Sequence, residues 1–238
     1  MIGTVIKAEL RNMRRDRMYL FFAIYPVILG GIGYFLVPYI EDNTPPGDPW
    51  AKILAMFFIL MTGYIYGALT AFTLLDDKDD SVLMSLKITP ISVKSYVIVK
   101  LVVSFIFGFI ASLAVIYGTG FLENTSFGII LLVAITGALQ APGVALIVNS
   151  FAENKVEGFV IMKLSGLILI LPVVAFFVTG WVQNLLGIAP GYWAARIIEL
   201  ELVPSEEGSA VLTFFGGVAY NMVFLWLLMK LYVKRSNI

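Results

Sequence analysis

The chain contains no cysteine and no histidine. Without thiols there are no disulfides and no thiolate metal sites, and without imidazole there is no Ser/His or Cys/His catalytic unit. Charge is scarce as well: 13% of the 238 residues are charged and 60% are hydrophobic, against roughly a quarter charged and 45–50% apolar in ordinary soluble domains. That composition excludes a soluble enzyme. Neither sign of charge is in excess, with sixteen Lys plus Arg against sixteen Asp plus Glu, so no basic surplus stands ready for phosphates and no nucleic-acid partner is expected. A Gly-Lys dipeptide is also missing, and with it the Gly-rich phosphate-cradling loop of an ATP-hydrolysing chain. Leu164-Ser-Gly166 echoes part of an ATPase signature, but it opens an apolar run and is read as accidental.

What is present is apolar length. Six windows carry no charge: Met18 to Ile40, Ile53 to Leu75, Leu101 to Leu122, Asn124 to Ala152, Leu164 to Ala195 and Gly208 to Met229. Each is at least as long as the roughly 20 residues a spanning helix needs, and a charge at mid-bilayer would cost several kcal/mol. Every charged residue lies outside them. The windows are apolar all round, unlike the one-sided helices of a soluble protein. The sequence therefore predicts an all-α polytopic membrane protein forming a single transmembrane domain over 1–238. Its spans are expected at about 18–40, 53–75, 97–119, 127–150, 158–180 and 209–231.

Six spans put both termini on one side. Fourteen of the sixteen cationic residues fall with them, and only Lys52 and Arg196 fall opposite. The acids divide evenly, so the net zero charge is a cancellation across the bilayer, and the basic side is predicted to be cytoplasmic. The first window is too long for a signal peptide and has no small-x-small site after it, so it is expected to be retained.

Between the spans, Ile2, Val5, Ile6, Leu10 and Met13 share one helical stripe and Lys7, Arg11 and Arg14 another, which predicts an amphipathic interfacial helix over 1–17. A basic flank that only sets topology is the alternative. The segment Glu41 to Pro49 is a short acidic turn with Pro and Gly. The fifth window is too long for one span, so its helix is expected to end near Thr179 to Trp181. Val182 to Leu202, with Trp181, Tyr192 and Trp193 at headgroup level, is expected to form short outer re-entrant helices.

The loop between spans two and three reads Asp76-Asp-Lys-Asp-Asp-Ser-Val-Leu-Met-Ser-Leu-Lys-Ile-Thr-Pro-Ile-Ser92. Asp79 or Asp80 is expected to cap a helix of about two turns that Pro90 ends near Thr89. Val82, Leu83 and Leu86 would share one face of it, too apolar for a free loop. They call for a partner surface, the alternative being the membrane or this chain's own N-terminal helix.

The six spans, this loop, and Lys100 at the head of span three resemble the ABC-2 family of ABC transporter permeases. Two further stretches carry the likeness: Asn154-Lys-Val-Glu-Gly-Phe-Val-Ile-Met-Lys163 with Pro172 beyond it, and Ile188-Ala-Pro-Gly-Tyr-Trp193. The acidic and Thr-Pro loop is closer to the multidrug or fluoroquinolone-type export permeases than to the polysaccharide ones. One departure is that Asp77, Asp79 and Asp80 stand where Glu and Gly are frequent, so the helix is carried over and not individual acid contacts. The resemblance implies an exporter half in a bacterial plasma (inner) membrane, paired with a second permease chain. A separate ATPase subunit would bind the ATP and Mg, leaving this chain with no cofactor. It also implies that Val82, Leu83, Leu86, Lys87, Thr89 and Pro90 form a coupling helix that docks on that ATPase.

Inside the membrane, Thr62, Tyr66, Thr70 and Thr73 recur at i, i+4, i+8 and i+11 in span two beside Gly63, Gly67 and Ala71. The hydroxyl stripe either lines a substrate path or bonds between helices or back to carbonyls. Gln140, mid-span in four beside Thr136, and Lys163, a turn or two inside span five, are further path candidates, read alternatively as packing glue and as a snorkelling lysine. No acid lies deep in a span, which argues against an ion-coupled carrier, though a secondary carrier or a non-transporting immunity or anchor protein remains an alternative.

Overall fold

The structure is a computed structural model that describes residues 3, 7, 11, 13–15, 17–45, 48–86, 88–178, 180–203 and 208–235. The interfacial helix expected over 1–17 falls mostly outside them; the residues described there are helical, and Met13 is buried beside Tyr19, Tyr66 and Leu69. No strand occurs among the described residues. Six helical stretches are long and apolar enough to cross a membrane, so the chain is an all-α polytopic membrane protein.

The spans are built as follows. The first is α1 (Arg17–Asn43), the second α2 (Trp50–Asp79), and the third α4 (Val93–Thr119); α3 (Val82–Leu86) lies between the last two. The fourth is α5 (Phe127–Ala138) continued by α6 (Gln140–Phe151). The fifth is α7 (Lys155–Ser165), a 3-10 turn (Gly166–Leu169) and α8 (Ile170–Ala175). Then come the short α9 (Trp181–Leu185), another 3-10 turn (Leu186–Ile188), α10 (Tyr192–Leu202), and the sixth span α11 (Ala210–Arg235).

Proline explains both internal breaks. Pro142 has no N–H to give the Ala138 carbonyl, and the helix is interrupted at Leu139; Pro172 likewise cannot serve Ile168, and the turn before it tightens to 3-10. The fifth span is therefore not the single helix expected over 158–180. The expectation that Glu41 onward is turn also needs correction. Charge does not stop a helix, and α1 runs on to Asn43, where Asn43 Nδ2 and Thr44 Oγ1 donate to the Tyr39 and Ile40 carbonyls, both at 2.8 Å.

Packing sorts the spans. The second and fourth are mostly buried, and the sixth is mostly exposed, with Leu212, Phe215, Val223 and Trp226 facing outward as lipid-facing residues should. α2 lies at the centre, against α1, α4, α6 and α7. It comes backbone to backbone with the fourth span at Gly63 and Gly67, where a Cβ would stand 2.5 Å from the carbonyls of Gly137 and Ala141 respectively. Small residues let two helices meet backbone to backbone, which drives association where hydrophobic exclusion is absent.

Candidate functional site

The second-to-third loop is built differently from the sequence expectation. α2 continues to Asp79, and the Asp80 N–H closes it on the Asp76 carbonyl at 2.8 Å. Neither Asp79 nor Asp80 caps α3, because both are spent at the end of α2. Ser81, at φ 56°, turns the chain instead, and α3 is five residues long.

Its apolar residues divide. Leu83 is buried with Leu75, Val93 and Val97, and the half-buried Leu86 packs on the same cluster, while Val82 is half-buried. These residues seat α3 on the chain's own spans and leave Leu83 no partner-facing surface. What the loop turns outward is Met84, 70% exposed, Ile88, 90% exposed, and the exposed Thr89 and Pro90. Lys87 lies outside the described residues. The tip is fixed locally: Thr89 Oγ1 donates to the Leu86 carbonyl at 2.8 Å, and Ser92 caps α4 by accepting from the Ser95 N–H at 3.1 Å. A cavity of about 500 Å³ opens beside it, lined by Leu86, Thr89, Pro90, Ile91, Lys94 and Val233 among others. Because Leu83 belongs to the core, Leu83→Glu is expected to lower thermal stability in detergent by about 2 kcal/mol or more, the range for a core leucine truncation alone. A melting curve unchanged from wild type would move Leu83 back to the surface.

The root of the loop is clamped. Lys100 Nζ, on a residue only 4% exposed, stands 2.6 Å from Asp77 Oδ2, which also accepts from the Tyr96 hydroxyl at 3.0 Å. Lys78 Nζ donates to the carbonyls of Asn149 (2.9 Å) and Ala152 (3.3 Å) and lies 5.3 Å from the Tyr232 ring. Asp76 pairs with Lys155. On the same end, Arg235 donates to the Ser150 carbonyl at 3.2 Å and sits over the Phe151 ring. Sequence reading marked Lys100 as the head of span three; its partner was hidden, because the Asp77–Lys100 separation of 23 positions exists only in the fold.

The hydroxyl stripe of α2 is buried inside this one chain. Thr62 Oγ1 donates to the Ile59 carbonyl and pairs with Ser112 Oγ, both at 2.7 Å. Tyr66 reaches the Phe22 carbonyl at 3.5 Å, and Thr73 donates to the Thr70 carbonyl at 3.0 Å and lies 3.5 Å from the Tyr19 hydroxyl. Thr70 is buried with them. Gln140, at the α5–α6 break, donates from Nε2 to the Leu60 carbonyl of α2 at 2.8 Å. These residues are buried within the chain where α2 meets α1, α4 and α6, whereas Lys163 is exposed on α7.

A buried polar cluster at the opposite end was not anticipated. Gln183 Nε2 donates to both carboxylate oxygens of Glu199, at 3.1 and 2.9 Å, and to the Ala175 carbonyl at 3.1 Å. Arg196 holds Glu199 at 2.7 Å. The cluster ties α9 and α10 to the end of α8. Its only sequence trace is an Arg and a Glu three apart on a helix, flanking Ile197 and Ile198.

Comparison with known proteins agrees with this architecture. Residues 9–229 match the family model described as "Fluoroquinolones export permease protein Rv2686c-like". Two relatives from Mycobacterium tuberculosis, strains CDC 1551 and H37Rv, each named a fluoroquinolones export permease protein, are 26% identical over 229 residues, covering 93% of this chain and 90% of theirs. That family match spans most of the six-span fold. The chain belongs to the Rv2686c-like fluoroquinolone export permease family, as a multi-pass membrane permease.

Proposed function

We propose that this chain is the membrane half of an ATP-driven ABC-2 type exporter, in which two permease chains pair and a separate ATPase subunit docks on the α2–α4 loop. The observation that carries the reading is the loop itself: a segment rooted by an ion pair that still leaves Met84 and Ile88 exposed. Exposed apolar side chains on a fixed mount are costly for a loop alone and suit a groove in a partner. Support comes also from the missing Gly-Lys loop, which leaves ATP and Mg to the partner chain. The basic excess on this end reads as cytoplasmic, where ATP is found.

The docking surface is Met84, Ile88, Thr89 and Pro90, with Leu83 and Leu86 beneath as its mount. The hydroxyls of Thr62, Tyr66, Thr70 and Thr73, with Gln140, serve as interhelical bonds that hold the path's walls together, and Lys163 snorkels to the headgroups. The relatives' names point to fluoroquinolones, flat amphipathic aromatics, and an uncharged membrane interior suits that class better than free ions.

The test is to purify the chain from native membranes in mild detergent. Wild type is expected to bring down an ATPase, and Ile88→Glu to insert normally yet lose it, since a charge buried in an apolar groove without a counter-ion is strongly disfavoured. A wild-type chain that captures no ATPase contradicts the reading; an Ile88→Glu variant that still captures it and transports removes the docking surface.

A further inference from the structure

Three consecutive residues at the end of α2 reach three different neighbours, because successive side chains on a helix fan out by about 100°. Asp77 is held by α4, Lys78 by the end of α6, and Asp76 by Lys155 of α7. The ties differ in kind. The Asp77–Lys100 pair is buried, with side chains 15% and 4% exposed, whereas Asp76 and Lys155 are 38% and 48% exposed, so water and salt compete for that second pair.

The α2–α4 contact is also bolted along its length. Thr62 meets Ser112 at 2.7 Å, Ser104 donates to the Tyr66 carbonyl at 3.0 Å, Tyr66 stacks on Phe107 at 6.0 Å, and Lys100 reaches the Thr73 carbonyl at 3.5 Å. Against α7, α2 has ring packing of Phe72 on Phe159 at 4.5 Å, and the Tyr64 hydroxyl on the Met162 carbonyl and 3.3 Å from Ser165. Directly after Ser165 the α-helical pattern of the fifth span is interrupted by the 3-10 turn Gly166–Leu169.

We propose that α2, α3 and α4 form one rigid lever, stapled at its base by Asp77 and Lys100, and that the fifth span is the compliant element, bending at Gly166–Leu169 when the loop is displaced. The inference rests on the reading of that loop as the ATPase docking site. Lys100 and Asp77 are then positioning residues. Acting through the loop, they fix the angle between the docked tip and the spans. A 3-10 turn ahead of a proline is a natural bending point, because its α-helical hydrogen bonding is already interrupted.

The absence of cysteine makes any introduced pair a unique set of spin-label sites. In lipid, with the full chain bound to the ATPase that co-purifies with it, labels at the exposed Met84 and Tyr117 report on the lever, and labels at Met84 and Phe177 cross the bend. On trapping with ATP, Mg and vanadate, the first distance is expected to hold and the second to shift. Lys100→Met broadens the first distance distribution and lowers the fluorescent fluoroquinolone moved per ATP hydrolysed by about tenfold, within the range of ordinary coupling free energies. Because that variant leaves the Asp77 carboxylate without its counter-charge and risks failing to fold, the neutral Asp77→Asn/Lys100→Met pair is run beside it, with the same loosening expected at normal yield. A first distance that moves as much as the second, or full coupling in the neutral pair, overturns the lever. Wild type that binds no ATPase and shows no nucleotide-dependent change overturns the ATP-driven reading, and the lever with it.

Discussion

Gly67→Val is expected to leave little correctly folded protein. A Cβ at position 67 would stand 2.5 Å from the Ala141 carbonyl oxygen, 2.8 Å from Val144 Cβ and 3.0 Å from Ala141 Cα. Two of those three atoms are backbone, so no side-chain rotation relieves the clash; α2 and α6 must separate. Overpacking of this kind costs about 1–3 kcal/mol in soluble cores, occasionally more, and valine on a backbone contact belongs at the top of that range. Separation would also break the Gln140 bond to the Leu60 carbonyl and the Asn149 bond to the Ala71 carbonyl, 3.0 Å long, on the same interface. Gly31→Val is the control, since a Cβ there meets nothing within 4 Å. The check is the monodisperse fraction and the melting temperature in detergent. Equal melting of the Gly67→Val variant and wild type would show that the two helices do not cross this closely.

Lys100→Met is expected to destabilise the chain by about 3–5 kcal/mol, the range for removing one partner of a buried ion pair. Asp77 would keep the Tyr96 hydroxyl and lose its counter-charge. The neutral Asp77→Asn/Lys100→Met variant is expected to recover most of that loss, because replacing both charges removes their desolvation cost together. Lys155→Met, at the exposed pair with Asp76, is expected to change stability by about 1 kcal/mol or less. Melting curves for the single variants and the double variant give the coupling directly. Simple additivity of the two single changes would mean that Asp77 and Lys100 do not act as a pair.

Much of the architecture was written in the distribution of charge. A bilayer imposes a coarse rule, some 20 uncharged residues per crossing, and all six crossings obey it. The exact helix ends did not follow, because a helix can carry Glu41, Asp42 or Asp76 to Asp79 beyond the apolar core at no cost to the membrane. The 3-10 interruption of the fifth span was foreshadowed only by Pro172. For the loop, the apolar content was legible and its direction was not: Leu83 and Met84 are adjacent, and only the position of Leu75 and Val97 decides that the first turns inward and the second out. The buried set of Gln183, Arg196 and Glu199 left almost no trace, since it gathers residues from two short helices whose approach depends on the end of α8.

The hydroxyl stripe of α2 shows the same limit from the other side. Its spacing of four and three positions places Thr62, Tyr66 and Thr73 on related faces, but a path wall and a packing seam have identical periodicity. What the fold adds is the neighbours, which within this chain are Ser112, Phe22 and Tyr19.

The central claim is that ATP, spent by a partner docked on the α2–α4 loop, drives export through this permease. The most direct measurement is accumulation of a fluorescent fluoroquinolone in inside-out vesicles carrying the complex, with ion gradients collapsed by ionophores. Uptake is expected to require ATP and Mg, to survive the ionophores and to be lost in Ile88→Glu. Uptake that ignores ATP and disappears with the gradient would contradict it, and would make the chain a secondary carrier.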